Sequence, residues 1–259
     1  MSLKNLGPLG PRGRRFLKES RARILRRLGL LKGDWQKALP AELQFWQFAL
    51  KDHGRDWWPG EFSERMNPDL PLQDYLRELI GAPAGATVRI LDVGAGPLTR
   101  VGRQWSGRTV QIVPVDPLAR EYDELLTRLS IQPPVRTIYA QAEKLLDLFE
   151  REAFDLAYAS NALDHSISPL LSIEQMLAVV KPACYVYLWH FANEGLVEGY
   201  AGLHQWNFCA KHGDLVISDG RKTYSAAAEF KSLADVTCEN EQAYGKTVVV
   251  AKVRKKAVG

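Results

Sequence analysis

The chain has 259 residues, of which 46% are hydrophobic, and a formal net charge of +4, which suits one α/β domain with an appendage. No uncharged apolar run is long enough to cross a membrane, and no apolar segment followed by a small-residue cleavage site indicates a secretory signal. Three widely spaced cysteines suit reduced thiols better than a disulfide framework or a zinc site, so we expect a cytoplasmic protein.

Residues 1–33 form a basic arm. Ten lysines and arginines and a single acid lie within residues 1–32, which leaves the remainder of the chain mildly acidic. A loose apolar stripe over residues 14–31 predicts a basic amphipathic helix. Such a helix can contact an anionic membrane or nucleic acid, or it can pack on the protein's body or a partner protein. For residues 12–32 we keep open a peripheral contact with the inner membrane face or with a partner protein.

Residues 34–82 are rich in aromatic side chains and predict a helical segment. The stretch Ala41–Lys51 has the spacing of an amphipathic helix. A second helix is predicted over Leu72–Ile80, where the sequence Gly81-Ala82-Pro83 would end it.

Residues 83–259 predict an α/β domain. Apolar runs alternate with helical patterns, which is typical of a parallel sheet with crossover helices. Near the end, Ala234–Glu241 and Thr247–Arg254 flank a Tyr-Gly turn and predict a β-hairpin. The last strand is therefore expected to be antiparallel to the rest.

A glycine-rich turn follows the first apolar strand. The segment from Val88 to Arg100 predicts a strand that ends near Asp92, a turn at Gly94 and Gly96, and the start of a helix. Glycine reaches positive φ without strain and lets a ligand lie against the backbone. A second apolar run ends at Asp116, where an ionised carboxylate can accept hydrogen bonds from both hydroxyls of a ribose. The pair of strands predicts a nucleoside site.

This segment resembles motif I of the class I S-adenosylmethionine-dependent methyltransferases, hydrophobic-hydrophobic-D-x-G-x-G. Asp92, Gly94 and Gly96 lie on the pattern, and Pro97-Leu98 stands where a further glycine is frequent in the family. A dinucleotide fingerprint would need a glycine at residue 99, which is Thr99, so NAD is not expected.

Three further segments are similar to the family in the same order. Asp116 matches its ribose-binding acid, Thr137–Lys144 resembles its third strand and adenine-side turn with Gln141 in place of an acid, and Phe154–His165 resembles its fourth strand and following loop. The similarity covers about residues 75–190. It implies a doubly wound, mostly parallel seven-stranded sheet with an antiparallel C-terminal strand, an N-terminal helical cap over 34–82 and a cofactor domain over 83–259. It implies S-adenosylmethionine as cofactor, held by Asp92, Gly94, Ala95, Gly96, Asp116, Pro117, Gln141, Ala142, Glu143 and Asn161.

The loop Asn161–His165 should lie at the ligand edge of the sheet, because it follows a parallel strand. His165 is a candidate general base, since histidine side chains ordinarily exchange protons near neutral pH. Asp164 could orient the imidazole or act as the base itself. The alternative interpretation of His165 is a packed loop residue.

The loop after strand five, over Phe191–Phe208, is expected to line an acceptor pocket. Its amide, carboxylate and aromatic side chains suit a polyhydroxylated acceptor such as a sugar. The alternative is a loop that only packs on the cap. A metal site from Glu194, Glu198, His190 and His204 matches no standard spacing, so no metal is expected. The candidate acceptor contacts are His190, Glu194, His204, Gln205, Trp206 and Asn207, of which His204 is also a catalytic candidate.

These patterns predict an S-adenosylmethionine-dependent O-methyltransferase that acts on a sugar of a bacterial surface glycan or a similar polar small molecule. The loop and the aromatic segment also resemble bacterial methyltransferases of surface-polysaccharide biosynthesis. Two alternatives stay open: an RNA methyltransferase that uses the basic arm, and a non-catalytic S-adenosylmethionine-binding protein. Nucleic acid is the less favoured partner, because Asn161-Ala-Leu-Asp lacks the N/D-P-P-aromatic signature of amino-methylating DNA enzymes.

Overall fold

The computed structural model describes residues 35–54 and 59–257. The basic arm predicted for residues 1–33 lies outside the described residues, so its helix and its partners stay predictions. Among the residues that are described, no helix is long and apolar enough to cross a bilayer.

Helices and strands alternate along the described chain. Both helices predicted within residues 34–82 are present, but the first begins at Trp35, before Ala41, and the second begins at Asp74, after Leu72. The helices are α1 (Trp35–Leu50), α2 (Pro59–Met66), α3 (Asp74–Ile80), α4 (Ala119–Arg128), α5 (Pro169–Val179), α6 (Glu194–Val197) and α7 (Ala226–Glu229). Short 3₁₀ segments lie at Lys51–Gly54, Ala142–Asp147 and Leu163–His165. The strands are β1 (Thr87–Val93), β2 (Thr109–Asp116), β3 (Ile138–Tyr139), β4 (Phe154–Ser160), β5 (Val180–Phe191), β6 (Asn207–Lys211), β7 (Asp214–Ser218), β8 (Thr223–Ser225), β9 (Ala234–Ala243) and β10 (Lys246–Lys255).

Seven strands form one sheet in the order β3-β2-β1-β4-β5-β10-β9. β1 to β5 pair in parallel, and β10 is antiparallel to both β5 and β9. This confirms the predicted mostly parallel sheet, its antiparallel C-terminal strand and the β9–β10 hairpin. The strand order reverses between β1 and β4, and open α/β sheets bind ligands at such a point, beyond the carboxyl ends of their strands.

The sheet is buried on both faces. Along β1, Leu91 and Val93 belong to one apolar cluster, whereas Val88 and Ile90 belong to another. Successive side chains of a strand point to opposite faces, so β1 must be apolar on both of them. Burial of both faces therefore explains why the strands appear in the sequence as near-continuous apolar runs.

The helix expected after the glycine turn is not formed: residues 94–108, all of them described, make turns between β1 and β2. The Leu72 amide donates to the Gln104 carbonyl at 2.8 Å, and a Cβ placed on Gly102 would overlap the Pro71 carbonyl. Backbone groups of this crossover therefore bond to the stretch before α3. Those contacts replace the bonds to the preceding turn that a helix needs.

The chain after β5 departs from the predicted irregular loop. It forms the short helix α6 and then a three-stranded antiparallel sheet, β6-β7-β8. Phe208 of β6 and Ile217 of β7 are paired, and both are buried in the cluster that also contains Val186 of β5. The small sheet was not predicted because its strands are short and partly polar, so its apolar alternation is weak.

Candidate functional site

A cavity of about 620 Å³ lies at the carboxyl ends of the parallel strands. This volume is within the range of sites that enclose a small-molecule ligand. All ten residues predicted to hold the cofactor line it, namely Asp92, Gly94, Ala95, Gly96, Asp116, Pro117, Gln141, Ala142, Glu143 and Asn161. They come from four different connections, and the topology of the sheet brings them together.

The glycine turn has the backbone that the sequence predicted. Gly94 and Gly96 have φ values of 70° and 63°. A Cβ on Gly94 would overlap the Cβ of Ala162, and one on Gly96 would lie 2.6 Å from the ring of Trp46. Both glycines are therefore required by positive φ and by the close approach of a neighbour.

Asp116 is buried at the end of β2, and its carboxylate accepts hydrogen bonds from two backbone amides. The amide of Leu118 donates to Oδ1 at 2.9 Å and that of Gly96 to Oδ2 at 3.1 Å. Burial raises the pKa of Asp116 to about 7, against the effect of these two donors. A carboxylate has about four acceptor positions, so it keeps capacity for ribose hydroxyls.

Asp92 is buried at the end of β1 and accepts a hydrogen bond from the hydroxyl of Thr99 at 2.6 Å. Burial raises the pKa of Asp92 to about 6, although the Thr99 bond and the charges of Arg65 and Arg100 favour the ionised form. Thr99 occupies the position at which a dinucleotide fingerprint has glycine. In the sequence, Thr99 indicates only that NAD is not expected, whereas in the structure its hydroxyl supports Asp92.

We expect the stability of Asp92→Asn, measured relative to the cofactor-free wild type, to increase from pH 4 to pH 7. The unfolded carboxyl titrates near 3.9, whereas the folded one titrates at about 6. The folded wild type therefore binds more protons in this window and loses stability as the pH rises, by at most about 3 kcal/mol. Urea unfolding at several pH values measures the difference. A difference that does not change with pH, or an equal trend in exposed Asp123→Asn, would contradict this assignment.

Glu143 lines the cavity, but its carboxylate is already engaged. Oε1 accepts hydrogen bonds from the amides of Ile167 and Ser168 at 2.8 and 3.0 Å. Ser168 caps the N-terminus of α5 and accepts from Leu171. A carboxylate at this end of the helix also complements the helix dipole. Glu143 thus fixes the turn after β3 against the loop after β4.

Asp164, His165 and His204 form a hydrogen-bonded cluster at the cavity wall. His204 Nδ1 lies 2.7 Å from Asp164 Oδ2 and 3.0 Å from His165 Nε2, and His165 Nε2 lies 3.4 Å from the same carboxylate oxygen. Asp164 is fully buried, whereas the side chains of His165 and His204 are 19% and 28% exposed. The structure therefore joins the three residues predicted as catalytic, although His204 comes from a different loop.

Opposite charges dominate the electrostatics of this cluster. Burial favours a neutral Asp164, but the His165 charge and the bond from His204 lower the pKa of Asp164 to about 2. Burial also disfavours the charged form of His204, but the hydrogen bond and charge of Asp164 raise the pKa of His204 to about 9. An ionised carboxylate beside a protonated imidazole is the expected state at neutral pH.

His190 is not at the cavity, contrary to the prediction. It is 1% exposed, its ring stacks on Phe208 at a centroid distance of 4.2 Å, and burial lowers its pKa to about 4. Its neighbours Trp189 and Phe191 line the cavity instead. Side chains alternate along a strand, so His190 points to the face of β5 opposite to that of Trp189 and Phe191, away from the cavity.

Three more predicted acceptor contacts lie outside the cavity lining. The amide of Gln205 donates to the carbonyls of Tyr200 and Gly202, and the indole of Trp206 donates to that of Ser166 at 3.0 Å. The side chain of Asn207 accepts from the amide of Leu196 and donates to the hydroxyl of Tyr200. These groups hold α6 and its connection to β6 in place. Glu194 and His204 are the predicted acceptor contacts that do line the cavity.

A second set of polar side chains at the cavity was not predicted from the sequence. Glu61 and Arg65 of α2 form an ion pair at 2.8 Å, and Glu61 also accepts from the hydroxyl of Tyr244 at 2.6 Å. Arg100 donates to Ser160 Oγ at 3.0 Å and lies over the ring of Trp189. The Tyr-Gly turn between β9 and β10 predicted a hairpin, but nothing local indicated that the tip would reach α2.

No protein-family model and no curated relative matches the sequence. Among solved structures, the chain is similar to the CurJ carbon methyltransferase, with 13% identity, coverage of 97% of this chain and 72% of that chain, and a TM-score of 0.50. Another similar structure is the CalH trans-methyltransferase in complex with S-adenosylhomocysteine, with 18% identity, coverage of 79% of this chain and 60% of that chain, and a TM-score of 0.49. A third is a 1,6-didemethyltoxoflavin-N1-methyltransferase of Burkholderia thailandensis, with 16% identity, coverage of 88% of this chain and 92% of that chain, and a TM-score of 0.47. The similarity to the carbon methyltransferase, together with the strand order, shows that this chain has a methyltransferase fold.

Proposed function

We propose that the protein is an S-adenosylmethionine-dependent methyltransferase that transfers a methyl group to a hydroxyl of a polar acceptor. One observation carries this proposal: a single cavity contains both the predicted nucleoside-binding residues and the side chains of His165 and His204. Methyl transfer needs the sulfonium methyl and the nucleophile in line within one enclosed site. The fold supports the same conclusion, because its ligand edge is at this cavity.

The cofactor would lie across the reversal point of the sheet. Asp116 would accept the ribose hydroxyls, and the Gln141 turn would border the adenine. The methionine end would then extend over Gly94 toward Asp92, which leaves the methyl group directed to the loop after β4. Arg100 supplies a cation for the methionine carboxylate on this side of the cavity.

The acceptor hydroxyl must lose its proton to become a good nucleophile. We assign its activation to the cluster of Asp164, His165 and His204, because both imidazoles line the cavity. The hydroxyl oxygen forms a bond to the methyl carbon while the bond between that carbon and the sulfur of S-adenosylmethionine breaks. The hydroxyl proton passes to a basic side chain of the cavity lining or to water, and S-adenosylhomocysteine is the second product.

The remaining lining favours a sugar or a similar polyhydroxylated molecule as acceptor. Aromatic rings provide flat apolar surface, and charged groups between them can bind hydroxyls. Such a mixture is suited to a surface-glycan sugar. The aromatic rings are Trp35, Phe45, Trp46, Trp189 and Phe191, and the charged groups include Glu42, Glu194, Glu198 and Lys246.

We expect Asp116→Ala to weaken the binding of S-adenosylmethionine by about tenfold to a hundredfold. The variant loses charge-assisted hydrogen bonds to the ribose, which contribute roughly 1.5–3 kcal/mol. Calorimetric titration measures the change. Asp123→Ala is the matched control, since Asp123 is an exposed carboxylate on α4 that pairs with Arg136. Equal affinities of the Asp116 variant and wild type would refute the cofactor assignment.

The acceptor class can be tested by transfer of a labelled methyl group. Purified protein is incubated with labelled S-adenosylmethionine and with sugars, nucleotide sugars, surface glycan or RNA. Label in the glycan or sugar fraction supports the proposal. Label in RNA would favour an RNA methyltransferase that uses the basic arm, and cofactor binding without any transfer would indicate a non-catalytic binding protein.

A further inference from the structure

We propose that Asp164, His165 and His204 bind one divalent first-row transition metal ion at the wall of the cavity. This deepens the proposed function, since the ion would lie where the acceptor hydroxyl must be activated. Its binding nevertheless does not require methyl transfer and can be measured separately. The expectation from the sequence was that no metal is bound, because the ligand spacing matches no standard motif.

The geometry of the three ligand atoms carries the proposal. His204 Nδ1, His165 Nε2 and Asp164 Oδ2 form a triangle with edges of 2.7, 3.0 and 3.4 Å. Ligand atoms that lie about 2.1 Å from an ion and share one face of an octahedron are about 3.0 Å apart. The triangle therefore has the size of an octahedral face before any side chain moves.

The chemistry of the donors agrees with the geometry. Two imidazole nitrogens and one carboxylate oxygen on a single face, with positions left open, are a recognised ligand set for divalent iron, and imidazole also suits zinc, copper and nickel. Among the described residues, these three are the group whose donor atoms lie close enough together to share one ion. Calcium and magnesium are disfavoured, because they prefer ligand sets made of oxygen.

The protons of the cluster do not satisfy every buried carboxylate oxygen. The single Nδ1 proton of His204 can be shared between Asp164 Oδ2 and His165 Nε2, but it does not reach the other oxygen of Asp164. Within the part of the chain that the structure describes, Asp164 Oδ1 and Glu194 Oε2 are buried without a hydrogen-bond partner. Buried carboxylate oxygens without partners are costly, and a divalent cation would offset the charge of both side chains.

The backbone holds the ligands in place. His165 ends the 3₁₀ segment after β4, and its carbonyl accepts a hydrogen bond from the indole of Trp35 at 2.8 Å. The amide of Gln205 donates to the carbonyl of Asp164 at 3.1 Å, which joins the two ligand-bearing loops. Glu42 lies 3.8 Å from Nδ1 of His165, on the side of the ring away from the triangle. This distance is that of an ion pair and is longer than a hydrogen bond, and a small movement would let Glu42 accept from Nδ1 and orient the ring as carboxylates do for metal-binding histidines.

An ion held by this face would keep positions open toward the cavity, because His165 and His204 both line it. An acceptor hydroxyl that occupied such a position would lose its proton more readily than a free hydroxyl. Metal coordination would thus provide the activation that O-methylation requires. The proton would pass to Glu194 or to water.

The test uses full-length protein without a histidine tag, freed of metal by a chelator. Cobalt(II) is titrated and followed by its visible absorption, and bound metal is counted by mass spectrometry after dialysis against zinc. We expect one ion per chain in wild type. His165→Ala and His204→Ala should each weaken cobalt binding by more than about a hundredfold, and Glu42→Gln by about tenfold. The control is His212→Asn, since His212 lies at an exposed turn.

Binding of S-adenosylmethionine is measured on the same samples. Wild type that binds the cofactor but no cobalt would overturn the metal site and leave the proposed function intact. Cobalt binding that persists in both histidine variants would also overturn it. Asp116→Ala should lose cofactor affinity and keep the ion, so a failure of the proposed function and a failure of the metal site give different results.

Discussion

Replacing His165 by alanine is expected to lower methyl-transfer turnover by about 10²- to 10⁴-fold and to leave the affinity for S-adenosylmethionine nearly unchanged. The reason is that His165 lines the cavity and contacts His204 at 3.0 Å, while Asp116 and the Gln141 turn, which are proposed to hold the nucleoside, lie on other connections. Turnover is measured with labelled cofactor and the acceptor found in the transfer experiment, and affinity is measured by calorimetry.

The same measurement on His204→Ala separates the two imidazoles. A large loss in both variants supports activation by the whole cluster. If the His165 variant turns over normally and the His204 variant is inactive, the main role in activating the acceptor belongs to His204, in the loop after β5. If both variants fold and turn over as wild type does, the cluster takes no part in the reaction. His212→Asn is again the control, because His212 is exposed and asparagine tolerates its φ of 53°.

Replacing Gly94 by alanine is expected to reduce cofactor affinity by more than about a hundredfold. The new Cβ would overlap the Cβ of Ala162, so the loop after β4 would have to move away from the glycine turn. Alanine at a φ of 70° adds backbone strain of about 1–2 kcal/mol. Calorimetric titration with S-adenosylmethionine measures the affinity, and thermal unfolding shows whether the variant folds.

A second substitution tests the mechanism of this effect. Gly94→Ala combined with Ala162→Gly removes the overlap and keeps only the backbone strain. We expect the double variant to recover most of the lost affinity, which would be non-additive behaviour typical of residues in contact. No recovery would mean that positive φ, or contact of the ligand with the Gly94 backbone, is the main requirement. Normal affinity of the single variant would contradict the close approach itself.

The features that the sequence by itself determined are local ones. Gly94 and Gly96 needed positive φ, and Asp116 ended an apolar run, so the turn and the carboxylate could be located without any distant contact. Likewise, the Tyr-Gly turn between two β-rich runs predicted the hairpin of β9 and β10. Strand and turn geometry depends on neighbouring residues, which the sequence shows directly.

Tertiary structure decided which side chains meet. His204 joins Asp164 and His165 across about forty positions of sequence, and α2 reaches the hairpin turn through Glu61 and Tyr244. No local pattern records these contacts, because side-chain directions in irregular loops follow from packing. The helix expected to begin after the glycine turn is not formed for a similar reason, since the backbone of this crossover bonds to the stretch before α3. His190 was misplaced although strand alternation is local, because the face of β5 that meets the cavity is set only when the sheet packs.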